Sequence, residues 1–90
     1  MPQAIVNPEE LERFAQSLRQ FNAQLGDSMS RLEGQFASLG DTWRDQEQIK
    51  FAQEFQQTMR VLRNFMRAAD AQIPFLLRKA QRARDYLNQR

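Results

Sequence analysis

A repeat of apolar residues spaced three and four positions apart runs through both halves of this chain. Spacings of three and four place side chains on one face of an α-helix. A period of seven suits helices that pack lengthwise at a shallow angle. The pattern therefore predicts two long helices lying side by side. The first half contains Leu11, Leu18, Leu25, Leu32 and Leu39, and the second Ala52, Phe55, Met59, Leu62, Met66, Ala69, Ile73, Leu76, Ala80, Ala83 and Leu87.

Local signals indicate where the helices begin and end. Asn7 is suited to cap a helix whose first residue is Pro8, and a Glu follows three residues after the cap. Gly40 is suited to close the first helix in the left-handed conformation, and Asp41 or Thr42 can cap the second. These signals predict a helix-turn-helix hairpin.

The fold class predicted from the sequence is all-α, with two long antiparallel helices in a single domain over residues 1–90. The predicted segments are an N-terminal tail at 1–7, a helix at 8–39, a turn at 40–43 and a helix at 44–88. We expect a kink near Pro74, which lacks an amide hydrogen and crowds the preceding turn.

The position of the turn also predicts the register of the hairpin. A reversal near residue 41 would place Pro74 opposite residues 7–9 and leave 75–90 as a basic overhang. The glutamates at 9, 10 and 12 would then lie near Arg67, Asp70 and Arg78.

The apolar stripes are wider than one hairpin can cover. Ile49, Phe51, Val61, Phe65, Phe75 and Leu77 lie outside the main repeat of the second helix. A hairpin of 90 residues buries only one face of each helix. We therefore expect an antiparallel four-helix bundle, formed with a second copy or a related chain. The candidate packing and dimer interface consists of Leu11, Phe14, Leu18, Phe21, Leu25, Leu32, Phe55, Met59, Leu62 and Met66.

The composition argues against catalysis. The chain has no Cys and no His, so the usual thiolate and imidazole ligands and the usual near-neutral acid or base are missing. The acidic clusters are explained by helix starts, where negative charge is favourable. We expect no enzyme activity, no cofactor, no metal and no small-molecule substrate. No apolar run approaches the roughly 20 residues of a membrane span, and the N-terminus does not resemble a cleaved signal peptide.

Charge is unevenly distributed along the chain. Residues 1–59 hold five basic and nine acidic side chains, whereas residues 60–90 hold eight basic and two acidic ones. A basic segment containing Arg78, Lys79, Arg82 and Arg84 could bind phosphates, and that binding would depend on salt. No base-reading motif or aromatic stacking platform accompanies it. Nucleic-acid binding is therefore the least favoured of the functions considered.

A lone Trp lies between the two predicted helices, in the layout Leu39-x-x-x-Trp43-x-Asp45 with Phe51 eight residues further on. This layout, in a chain near a hundred residues, resembles the WXG family of small bacterial type VII secretion proteins over essentially the whole chain. The family's Trp-x-Gly motif corresponds to Trp43, Arg44 and Asp45 here. A simpler alternative is that Trp43 only plugs the end of the hairpin.

The resemblance implies dimerisation into a four-helix bundle and secretion with a partner. The family's C-terminal export signal, a Tyr followed four residues later by an acid, would fall on Tyr86 and Arg90, where Arg90 replaces the acid. The predicted function is that of a type VII secretion substrate or its co-secreted partner, with a secretion ATPase as a further partner. The protein would be secreted without a cleaved signal peptide, or cytoplasmic if it is not exported. The main alternative is a cytosolic helical adaptor or scaffold.

Overall fold

Two helices account for almost all of residues 6–89, the part of the chain that the computed structural model describes. They are α1 (Pro8–Leu39) and α2 (Gln46–Asn88), and the described residues include no strand. The helices are antiparallel and form a hairpin measuring 70 × 19 × 14 Å. The predicted all-α hairpin is confirmed. Most of the predicted N-terminal tail (1–5) and Arg90 lie outside the described residues.

Both helices begin at capping side chains. The backbone N–H of Glu10 donates to Asn7 Oδ1 at 3.2 Å, with Pro8 in the first helical turn. At the second start, the N–H of Gln48 donates to Asp45 Oδ1 at 2.9 Å. The extended backbone of Asp45 (φ −107°, ψ −173°) keeps this residue outside the helix. The α2 helix therefore begins at Gln46 and not at residue 44 as expected.

The end of α1 differs from the prediction at Gly40. Its backbone is right-handed, with φ −60° and ψ −17°, and not left-handed. The chain leaves α1 through successive short turns, in which the N–H groups of Gly40, Asp41 and Thr42 donate to carbonyls three residues earlier at 3.0–3.2 Å. This tightened turn satisfies the terminal carbonyls without a left-handed residue.

The register of the hairpin also differs from the prediction. Phe36 lies beside Phe55, and Phe21 lies beside Phe65, with ring centroids 4.9 and 6.0 Å apart. The midpoints of these pairs place the reversal of the chain between residues 43 and 46, later than the predicted residue 41.

This register removes the predicted overhang of residues 75–90. The C-terminal part of α2 lies beside the start of α1, where Arg84 forms ion pairs with Glu9 and Glu12. Arg84 therefore lies beside the glutamates of α1, where the predicted register had placed Arg67 and Arg78. The α2 helix continues through Pro74, and the kink near this residue stays a prediction.

Small residues form much of the seam, which we define as the line of contact between α1 and α2. Its buried apolar side chains are Ala15, Met29, Met59, Ala69, Ile73 and Ala80. On α1 the buried residues Pro8, Ala15, Asn22 and Met29 recur every seven positions, so the seam is centred on this row and not on the leucines. Leu32 and Leu39 remain about half exposed.

The two glycines inside α1 have different surroundings. A Cβ at Gly26 would lie 3.2 Å from Met66 Cε, whereas a Cβ at Gly34 would have nothing within 4 Å. Gly26 therefore lies where the two helices approach closely, and Gly34 does not.

Gly34→Ala should raise the free energy of unfolding by about 0.5–1 kcal/mol, because Ala loses less backbone entropy on entering a helix. Gly26→Ala should gain less or be destabilising, since its methyl group crowds Met66. Thermal unfolding of both variants, followed by circular dichroism at equal protein concentration, measures the difference. Equal stabilisation by both would contradict the close approach at Gly26.

Candidate protein-interaction site

One long side of the hairpin is apolar and exposed, and we call it the apolar face. Its large side chains are Phe14, Phe21, Leu32, Leu39, Phe51, Val61, Phe65 and Phe75, each between 43% and 58% exposed. Phe21 of α1 and Phe65 of α2 meet edge to face across it, with an interplanar angle of 84°. This contact joins the exposed apolar side chains of the two helices near the middle of the hairpin.

The ten residues predicted as a packing interface divide into three groups. Met59 is buried in the seam. Three are exposed on the apolar face: Phe14, Phe21 and Leu32. The other six are half-buried: Leu11, Leu18, Leu25, Phe55, Leu62 and Met66.

Near the turn, the apolar face deepens into a groove of about 300 Å³. The groove is lined by Leu32, Gln35, Phe36, Leu39, Phe51 and Phe55. The rings of Phe36, Phe51 and Phe55 pack together with centroids 4.9–6.0 Å apart, which fixes the shape of its floor. A rigid aromatic surface of this kind suits an apolar side chain of a protein partner.

The opposite side of the seam is bridged by polar contacts, and we call it the charged face. Arg63 forms an ion pair with Glu33 near the turn. At the other end, Arg84 Nη2 lies 3.1 Å from Glu12 Oε1 and 3.3 Å from Glu9 Oε2. Exposed ion pairs contribute little stability, so their main effect is to keep this side polar.

The contact between Arg84 and the two glutamates shifts the pKa values of Glu12 and Arg84. Hydrogen bonds from the Arg84 guanidinium hold the pKa of Glu12 below its ordinary value of 4.5. The carboxylates of Glu12 and Glu9 in turn raise the pKa of Arg84. A lowered carboxyl pKa stabilises the fold above the ordinary value, and this stabilisation is lost as the pH falls below it.

Asn22 is a buried polar residue that the sequence analysis did not single out. Its amide nitrogen donates to the Met66 carbonyl at 3.0 Å and to Asp70 Oδ1 at 2.8 Å. Its side-chain oxygen is buried and has no hydrogen-bond partner. Because slipping α1 along α2 would strand this amide, Asn22 favours one register. Its seven-residue spacing from Ala15 and Met29 was the signal that could have identified it.

The three residues of the turn motif have separate contacts. The indole N–H of Trp43 donates to Asp45 Oδ1 at 3.0 Å, and its ring lies 5.8 Å from that of Phe51. Arg44 Nε donates to the Gly40 carbonyl at 2.7 Å. The half-buried Trp43 therefore joins the aromatic cluster beside the groove, while Arg44 and Asp45 hold the two helix ends.

Tyr86 lies in the last turns of α2 and is 58% exposed. Arg90, its predicted companion in an export signal, lies outside the described residues. Among residues 6–89, the acidic side chains form no cluster that could hold a metal ion. Neither described helix has the length and apolarity needed to cross a membrane.

Asp45→Ala should destabilise the hairpin by about 1 kcal/mol, because it removes the cap of α2 and the acceptor for the Trp43 indole. Asp45→Asn retains a side-chain oxygen and should lose less. Urea unfolding, followed separately by helical circular dichroism and Trp fluorescence, tests both effects. A wild-type fluorescence spectrum in Asp45→Ala would show that Asp45 does not position the indole.

Comparisons with known proteins agree with this geometry. The family model for WXG100, proteins of 100 residues with WXG, matches residues 3–86. The chain is also similar to crystal structures of the secreted protein EsxB from Bacillus anthracis strain Sterne. A variant of EsxB gives a TM-score of 0.86 at 29% identity, over 94% of this chain and 99% of that chain.

Two further EsxB structures are similar to this chain with slightly lower TM-scores. The selenomethionine-labelled protein gives a TM-score of 0.81 at 30% identity, over 98% of this chain and 100% of that chain. The wild-type protein gives 0.83 at 29% identity, over 94% of this chain and 99% of that chain. No curated protein sequence matches significantly.

Proposed function

Because this chain belongs to the WXG100 family, we propose that it acts by binding other proteins during type VII secretion, as a substrate or as the co-secreted partner of one. The similarity to EsxB, a secreted protein, supports export of this chain. The proposed role is non-catalytic and needs no cofactor. The partner is a second copy or a related WXG-like chain.

The observation that carries the proposal is the exposure of the apolar face. Twelve large apolar or aromatic side chains of the described residues are at least 38% exposed, and most lie on this face. The hairpin is only 14 Å thick along its shortest axis, so it has no second layer to cover them. Contiguous exposed apolar surface marks an interaction site, and a second hairpin would bury it in a four-helix bundle.

Leu25→Ala or Leu62→Ala should cost about 2–5 kcal/mol of stability and weaken association with it, because both side chains are half-buried at the middle of the hairpin. Light scattering over a dilution series measures the change, starting from a species of twice 10.6 kDa for a self-paired chain. If the chain is isolated as a monomer, the same variants are tested with a co-expressed WXG-like chain.

Leu77→Ala is the matched control. Leu77 is 38% exposed but lies seven residues from both Asp70 and Arg84 on the charged face. It should leave association unchanged. If all three variants weakened association equally, the loss would come from general destabilisation, and the apolar face would not be the binding surface.

Trp43→Ala should reduce export more than it reduces stability, because the indole is only half-buried beside the groove and would support a partner contact. Secretion into the medium by a bacterium with a type VII apparatus, compared with the unfolding midpoint of the purified variant, separates the two effects. Trp43→Phe keeps an aromatic ring against Phe51 and should retain part of the export. A parallel loss of stability and export would favour the simple plug.

Recognition by a secretion ATPase is the finer part of the proposal. Tyr86 supports it, since its ring is exposed near the end of α2 and away from the seam. If the acidic position of the signal is required, the paired chain would supply the complete signal. A cytosolic adaptor remains the alternative function, in which the same apolar face binds a partner that is not exported.

A further inference from the structure

A second groove lies on the charged face near the turn, and we call it the arginine groove. It has a volume of about 570 Å³ and contains the ion pair between Glu33 and Arg63. Two of its apolar residues, Phe36 and Phe55, also line the groove of the apolar face, so their rings lie between the two grooves. The floor of the arginine groove consists of Phe36, Phe55 and Met59, and one wall consists of Arg60, Arg63 and Arg67.

The arginine wall carries charge that the hairpin does not neutralise. Spacings of three and four place Arg60, Arg63 and Arg67 on one side of α2. Arg63 pairs with Glu33 of α1. Arg60 and Arg67 are exposed, and within residues 6–89 neither of them forms an ion pair. The groove therefore has two guanidinium groups in excess over its one carboxylate.

The two unpaired guanidinium groups are held in place by neutral side chains. Arg60 Nη1 donates to Gln57 Oε1 at 2.6 Å, and Arg67 Nη2 donates to Asn64 Oδ1. An amide oxygen orients the guanidinium but does not cancel its charge. Seven residues separate Arg60 from Arg67, which corresponds to about 10 Å along the helix. The groove thus presents two positive groups about 10 Å apart beside an apolar floor.

We propose that the arginine groove binds a short acidic segment of a partner protein, in which an apolar side chain lies between two carboxylates. The carboxylates pair with Arg60 and Arg67, and the apolar side chain packs on Phe36 and Phe55. This site goes beyond the proposed function, because it lies on the charged face and stays open when the apolar face is covered.

The spacing of the arginines matches an extended segment. In the polyproline II conformation, residues three apart point to the same side and lie about 9 Å from each other. Acidic side chains at such positions reach Arg60 and Arg67 together. A residue between them points about a third of a turn away, toward the floor of the groove. Four successive residues are therefore enough to make all three contacts.

Charge complementarity favours such a segment over other occupants. Covering an unpaired guanidinium is costly unless the occupant supplies an opposite charge, so a neutral segment is disfavoured. A phosphate backbone carries charge at every nucleotide and would lie against the Glu33 carboxylate in the same groove. Separate carboxylates with an apolar group between them fit both the arginines and the floor.

A labelled peptide with the central sequence Glu-Pro-Phe-Glu tests the proposal on the full chain by fluorescence anisotropy. Replacing its glutamates with glutamines should weaken binding about tenfold, because both ion pairs are lost. Replacing its Phe with Ala keeps the charge and should weaken binding about fivefold, because the contact with the floor is lost. High salt should reduce the first difference more than the second.

The double variant Arg60→Gln with Arg67→Gln should also weaken binding of the acidic peptide about tenfold. Arg78→Gln with Arg82→Gln is the matched control, since it removes the same charge from exposed positions of α2 beyond the groove. It should change binding little. Helical circular dichroism establishes that each variant remains folded.

Glu33→Gln gives an effect of the opposite sign. It frees the Arg63 guanidinium and removes the only carboxylate that lines the groove, so the acidic peptide should bind about threefold more tightly. Glu54→Gln removes the same charge outside the groove and should have a smaller effect.

The proposal is overturned if the acidic peptide binds no more tightly than its glutamine version, or if both double variants lose binding equally. It is also overturned if a labelled DNA duplex binds more tightly than the peptide and loses that binding in Arg60→Gln with Arg67→Gln. None of these results affects the proposed function, because association through the apolar face is measured separately with Leu25→Ala and Leu62→Ala.

Discussion

A single hairpin has one seam, and the rest of this structure depends on what that seam can bury. Ala15 and Ala80 are almost completely buried where the helices meet, and a Cβ at Gly26 would lie only 3.2 Å from Met66 Cε. Small residues allow close approach but remove little apolar area from water. The large aromatic side chains lie mainly outside the seam. The isolated hairpin therefore buries its small residues and leaves most of its largest apolar side chains exposed.

The two sides of the seam differ in how much it would cost to cover them with a partner. On the charged face, Glu12, Glu33 and Asp70 hold side chains of the opposite helix in polar contacts. Covering this face would remove charges from water, which is costly. On the apolar face a partner would cover aromatic rings and not ion-paired charges. Several of these rings already pack against one another. The apolar face is therefore the side that a partner could cover at the lower electrostatic cost.

The sequence predicted the helices better than it predicted how they meet. Asn7, Pro8 and the seven-residue repeats act locally, so the start of α1 and the hairpin class followed from them. The residues of the seam were harder to predict because two rows of α1 repeat every seven positions. One row contains the leucines and the other contains Asn22. Leucine spacing alone cannot show which row faces α2 and which borders the apolar face. The predicted register was wrong because Asp41, Thr42 and Asp45 are all suitable caps for α2. The choice among them moves the point where the chain reverses direction by several residues.

The turn motif shows why the family's glycine can be replaced. Asp45 Oδ1 accepts hydrogen bonds from both the Trp43 indole and the backbone N–H of Gln48. One carboxylate therefore fixes the start of α2 and the orientation of the Trp that precedes it. A glycine would offer backbone freedom at this point but no side-chain acceptor. In this chain the position of Trp43, and with it the aromatic end of the apolar face, is set by a helix cap.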